Sequence, residues 1–144
     1  MDRKEDNRQN LQRIPQPGTG KRGRRADGLR AEGMAADYLA GQGYVLLARN
    51  YATRFGEIDL ILRKGDLLIF AEVKCRRSSR MQHPLEAVDR RKMRRIACTA
   101  LIWLERNGYP QDTPCRFDVV GICGQTITHV KGAFGAEGLP REES

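Results

Sequence analysis

Apolar residues return at helical spacing twice in this chain, and at strand spacing in the stretches between. Ala31, Met34, Ala35, Tyr38 and Leu39 lie three and four apart, which sets them on one face of a helix. This predicts a helix over 29–40, stopped by Gly41 and Gly43. Met93, Ile96, Ala97, Ala100, Leu101 and Leu104 form a second stripe. They predict a longer helix over 90–106 that ends at Gly108. Stretches rich in Val, Leu and Tyr read as strands over 44–51, 57–63, 67–74, 116–123 and 126–131. Gly65-Asp66 suits a two-residue primed hairpin turn between the second and third. The order α-β-β-β-α-β-β predicts an α/β fold, one mixed sheet flanked by the two helices, because that arrangement buries both apolar stripes.

The ends lack this pattern. Residues 1–27 are polar and contain Pro15 and Pro17, too little apolar surface to offset the entropy of ordering. They are expected to form a disordered basic tail ahead of a folded domain over 28–134. Residues 135–144 are expected to form a short acidic tail. The chain carries 144 residues and a formal net charge of +8. Eight Lys/Arg and four acids fall within residues 1–27, so half of the excess charge lies in the tail. Such a balance favours a polyanionic partner or serves solubility.

No apolar run approaches the ~20 residues that cross a bilayer. The charged N-terminal stretch does not read as a secretory signal. Cys75, Cys98, Cys115 and Cys123 form no CxxC pair. Free structural thiols in a reducing cytoplasm are the economical expectation. With His83 and His129 as the two histidines, a zinc site is not expected.

The hairpin carries the candidate chemistry. If Lys64 faces Leu67, Asp59 falls opposite Glu72 and Glu57 opposite Lys74. Alternation along a strand then projects all four from one face, while Ile58, Leu60, Leu62, Ile69, Ala71 and Val73 form the buried one. Opposed carboxylates about 5 Å apart repel unless neutralised. A divalent cation would do so, and oxygen ligands suit Mg²⁺ or Mn²⁺. Lys74 would orient an attacking water or stabilise charge developing on a phosphate. The competing reading is a solvated strand face on which Glu57 simply pairs with Lys74.

Gly56-Glu57-Ile58-Asp59-Leu60-Ile61, followed by Glu72-Val73-Lys74, resembles the signature of the bacterial YraN-type family. Further blocks agree in order: Ala31-Glu32, Tyr38-Leu39, Ala87-Val88, Lys92 and Arg116-Phe117-Asp118-Val119. That family resembles the Holliday-junction-resolvase branch of the PD-(D/E)xK nucleases. The resemblance implies a restriction-endonuclease-like fold, with Asp59 and Glu72 as metal-binding acids and Lys74 as the superfamily lysine. Ile58 stands where the nominal motif has proline.

In the resolvase-like branch an acid on the first helix often completes the metal site, which makes Glu32 a candidate. The other reading of Glu32 is an acid favoured by the helix dipole. Glu57 is expected to support the pair. Arg90, Arg91, Lys92, Arg94 and Arg95 crowd the start of the second long helix, after Asp89 as a candidate cap. Cations there oppose the dipole, and with free backbone N–H groups they make a phosphate site, unless they form a solvated basic face. Lys92 is singled out by the resemblance alone. Asp118, inside an apolar strand, is expected to pair with Arg116 or a helix residue rather than to hold a metal. Trp103 and Tyr109 are expected in the core.

The expectation that follows is an Mg²⁺- or Mn²⁺-dependent endonuclease acting on branched or structured DNA. The alternative is a non-catalytic nucleic-acid-binding module that keeps the fold. Symmetric junctions would call for two sites, hence a homodimer.

Overall fold

The computed structural model describes residues 20–76 and 90–135. Its elements run α1 (Gly20–Gly41), β1 (Val45–Thr53), β2 (Gly56–Lys64), β3 (Leu67–Arg76), α2 (Arg90–Arg106), β4 (Cys115–Cys123) and β5 (Thr126–Phe134). The mixed α/β architecture is the expected one. Residues 1–19, 77–89 and 136–144, which include most of both expected tails, Ala87-Val88 and the candidate cap Asp89, lie outside the described residues.

The strands form one sheet in the order β1-β2-β3-β4-β5. All neighbours are antiparallel except β3 and β4, which run parallel. A parallel pair needs a crossover, and the connection containing α2 supplies it. Both faces of the sheet are covered. Ala31, Ala35 and Leu39 of α1 pack with Leu60, Leu62, Ile69, Ala71, Val120 and Ile122. On the other side Ile96, Ala97, Ala100, Trp103 and Leu104 of α2 pack with Ile61, Leu68, Phe70 and Phe117. Two-sided burial explains why β2 and β3 hold apolar runs rather than clean alternation. Trp103 is buried, and Tyr109 stacks on it with ring centroids 5.4 Å apart.

Element ends follow local chemistry. Gly43 takes φ +95, and Tyr44 N donates to Leu39 O at 3.0 Å while Gly43 N donates to Ala40 O at 3.1 Å. This left-handed closure satisfies the last carbonyls of α1. Gly65 has φ +62 and Asp66 does not share the left-handed region, the φ pattern of a II′ hairpin turn. The start of α1 differs from expectation. The helix begins at Gly20 rather than Leu29, so residues 20–27, expected in the tail, form its first turns. The stretch is rich in Lys and Arg, good helix formers that add turns without any apolar periodicity.

Candidate active site in the fork of the sheet

The β2–β3 ladder keeps the expected register from Lys64↔Leu67 through Leu60↔Ala71 and stops there. Beyond it β2 stays with β1, as Ile58 faces Tyr51 and Gly56 faces Thr53. Meanwhile β3 stays with β4 from Glu72↔Val119 to Arg76↔Cys123. The two central strands therefore diverge, and the acids sit where they part. Asp59 and Glu72 are not a backbone-paired couple as expected, nor is Glu57 opposite Lys74. In a continued ladder the Val73 amide would go to the Ile58 carbonyl. Instead it donates to Asp59 Oδ2 at 2.8 Å, so a side chain has taken a main-chain acceptor's place.

Asp59 also stands where the alternation of faces along β2 breaks. Asn50, which the β1–β2 register would set opposite it, takes φ +52, a conformation asparagine tolerates better than most residues. Ile58 joins Ile61 in the α2-side core. It was expected with Leu60, which lies in the α1-side core, so strict alternation fails between the two.

The fork opens a cleft of about 640 Å³. Its acidic wall holds Glu32 from α1 with Glu57, Asp59 and Glu72 from the sheet. Its basic wall holds Arg91, Lys92 and Arg95 from the first turns of α2. Glu72 is buried, and its Oε2 lies 3.3 Å from Lys74 Nζ and 2.5 Å from Lys92 Nζ. Lys92, expected to meet phosphate, thus belongs to the acid cluster itself. Glu32 Oε1 is buried without a hydrogen-bond partner, with Arg49 3.9 Å away. Arg90, Arg91, Arg94 and Arg95 are exposed.

The electrostatics follow from this crowding. Burial, then the Glu72 charge, pushes the Asp59 carboxyl up to about 7, against the pull of the Val73 amide; Glu32 and Glu57 add to the rise. Burial, then a hydrogen bond with Lys92, holds the Lys74 ammonium below its ordinary range, although Glu72 opposes both. Burial also disfavours charge on Lys92, but hydrogen bonds to Glu72 and Lys74 outweigh it, and its net shift is upward.

Asp118 stands apart from this cleft. It is fully buried on β4 and receives Arg116 Nε and Nη2, each at 2.8 Å, and the Gly132 amide at 3.0 Å. His129 Nε2 lies 2.7 Å from its Oδ2. The pairing with Arg116 is the expected one. The parts played by His129 and Tyr44, whose hydroxyl accepts from Arg116 at 2.8 Å, carry no sequence signal, because β5 and the α1–β1 connection meet β4 only in the folded sheet. Among the described residues the cysteines form no disulfide, and burial pushes the Cys115 thiol up to about 11.

The profile of the uncharacterised protein family UPF0102 matches residues 31–122, a span that includes every acid and lysine of the cleft. A UPF0102 protein of Lachnoclostridium phytofermentans is 46% identical over 115 residues, covering 80% of this chain and 98% of its own. One from Chromohalobacter salexigens is 49% identical over 116 residues, covering 78% and 93%. One from Anaeromyxobacter is 41% identical over 128 residues, covering 85% and 96%. The chain belongs to the UPF0102 family, the YraN-type family its motifs resemble.

Proposed function

We propose that this protein is a metal-dependent endonuclease hydrolysing phosphodiester bonds in branched or structured DNA, with Asp59, Glu72 and Lys74 at its centre. One observation carries the reading: a single cleft sets buried carboxylates against the basic first turns of a helix. Acids of that kind suit a hard cation, and the opposite wall suits a phosphate backbone. The likeness of the Asp59 and Glu72-Val73-Lys74 motifs to the PD-(D/E)xK nucleases supports the same reading.

The residues fit Mg²⁺ or Mn²⁺ in their donor chemistry. Glu32 Oε1 is a buried oxygen without a hydrogen bond, and burial followed by the Glu72 charge pushes the Asp59 carboxyl up, a crowding of carboxylates that a cation would offset. Asp59 and Glu72 would hold the ion, with Glu32 as the third oxygen donor. A bound divalent ion supplies an activated water and stabilises charge on the phosphate. The chain's own groups do the rest. Arg91 and Arg95 hold the backbone at the cleft mouth, Lys74 stands beside Glu72 to stabilise charge on the phosphate oxygens, and Glu57 keeps the Asp59 side negative.

A second reading, a DNA-binding module without catalysis, draws on a different observation. Glu72 is already neutralised by Lys74 and Lys92, and among the described residues no three His, Cys, Asp or Glu side chains group closely enough to grip an ion. Cation binding would require Glu72 to exchange Lys92 for the metal. The deciding experiment is cleavage of linear, flapped and four-way DNA with Mg²⁺, Mn²⁺ or EDTA. Metal-dependent cutting that Asp59→Ala abolishes supports the nuclease. Salt-sensitive binding without cutting of any substrate supports the module.

A further inference from the structure

We infer that the β1–β2 turn, Arg54-Phe55, is a stacking platform for an unpaired base, so that the cleft selects DNA bearing a single-stranded arm over plain duplex. The inference rests on the proposed function and names its substrate. Phe55 is 42% exposed at the tip of the turn. A scattered apolar residue on a surface needs no explanation, but this turn is held in place from several directions. Thr53 Oγ1 accepts the Phe55 amide at 3.1 Å and stands 3.3 Å from Thr99 Oγ1 on α2. Thr99 is fully buried and donates to the Arg95 carbonyl at 2.8 Å. Gly56, the next residue, lies so close to α2 that a Cβ there would meet Arg95 Cβ at 3.2 Å.

The turn that carries the ring is thus anchored against α2 rather than being a loose loop. The Arg54 guanidinium lies 5.0 Å from its centroid, a cation on a ring that still keeps much of its surface in water. One residue further along, Gly56 and Glu57 line the acidic cleft, facing Arg91 and Arg95. An aromatic ring with one guanidinium beside it, next to a cleft lined by Arg91 and Arg95, is the chemistry that stacks a base while phosphates follow a basic track. Bases inside a duplex have both faces covered by their neighbours, so the ring is open to an unpaired base and closed to an internal pair. Stacking of this kind tolerates any base, because each presents a π-face.

The test is fluorescence anisotropy in EDTA with two labelled probes, a blunt duplex and the same duplex ending in a single-stranded fork. Phe55→Ala should weaken binding of the fork by roughly 5- to 100-fold and leave the blunt duplex unchanged. Phe55→Leu, which keeps the apolar bulk but not the π-face, should behave like Phe55→Ala, and Phe55→Trp should restore the fork. Thermal melting should be the same for all four proteins, since the ring is largely outside the core. Equal losses on both probes, no loss on either, or full binding by Phe55→Leu would overturn the platform while the nuclease reading stands on wild-type cleavage. A wild type that binds neither probe would overturn both.

Discussion

Asp118 and Asp59 are both carboxylates within strands of one sheet, yet their surroundings work in opposite directions. Asp118 has a donor for each oxygen: two from Arg116, one from Gly132, with His129 alongside. Although burial opposes its charge, the Arg116 bonds foremost, then Gly132 and His129, hold its carboxyl below the ordinary range. Asp59 receives one main-chain amide and faces Glu72, Glu32 and Glu57. Burial without enough donors pushes its carboxyl up to about 7. One carboxylate fastens β4, β5 and the α1–β1 connection together. The other is held in a destabilised state beside an open cleft, where burial and like charge are the usual marks of a working site. Buried charge by itself identifies neither structure nor function; the supply of donors separates them.

Removing the satisfied carboxylate should have the largest effect. Asp118→Ala leaves Arg116, a main-chain amide and a buried imidazole without their acceptor. Breaking a buried pair in this way costs about 3–5 kcal/mol, to be read from urea unfolding at pH 7. A loss below about 1 kcal/mol, the size of a single ordinary hydrogen bond, would deny Asp118 its fastening role.

Next in size is the pH response, where the two aspartates should diverge. A folded-state pKa raised from 3.8 to about 7 means Asp59 favours folding below pH 4, and that advantage is lost as pH rises through 7. Asp59→Asn should therefore match wild type near pH 4 and exceed its stability at pH 8, by a gain of up to about 4 kcal/mol. Asp118 has the opposite sign. Its carboxyl lies below the ordinary range, so its contribution is present above pH 4 and lost as acid protonates it. Stability of Asp59→Asn that tracks wild type across pH 4–8 would remove the argument for a destabilised cleft.

Metal should sharpen the contrast further. Mn²⁺ at a hundred times its dissociation constant stabilises a folded site by about 2.7 kcal/mol. Thermal melts of wild type should rise with Mn²⁺, those of Asp59→Ala should not, and a folded Asp118→Asn should respond like wild type. Equal responses from wild type and Asp59→Ala would place any bound ion elsewhere.

The smallest effect on stability, and the most specific on binding, belongs to the exposed arginines of the first turns of α2. Arg91 and Arg94 are exposed, so Arg91→Ala with Arg94→Ala should leave melting nearly unchanged. DNA affinity should fall across sequences, and the salt slope should flatten by about one unit per lost phosphate contact. An unchanged slope would leave this face as a solvated surface only.

By itself, the sequence determined the elements and the local register. Periodicity located both helices, Gly65-Asp66 set the hairpin, and counting back from that turn gave the β2–β3 pairing as far as Leu60↔Ala71, because these features depend on residues close along the chain. Tertiary structure decided what those positions became. β2 is held by β1 and β3 by β4, so the ladder opens at Leu60↔Ala71 and Asp59 binds the Val73 amide instead of facing Glu72 across paired strands. The same assembly brings Lys92 from α2 onto Glu72, Tyr44 onto Arg116 and His129 onto Asp118. Those partners lie 11 to 72 residues apart, and long-range packing of strands and helices onto one sheet determines that they meet.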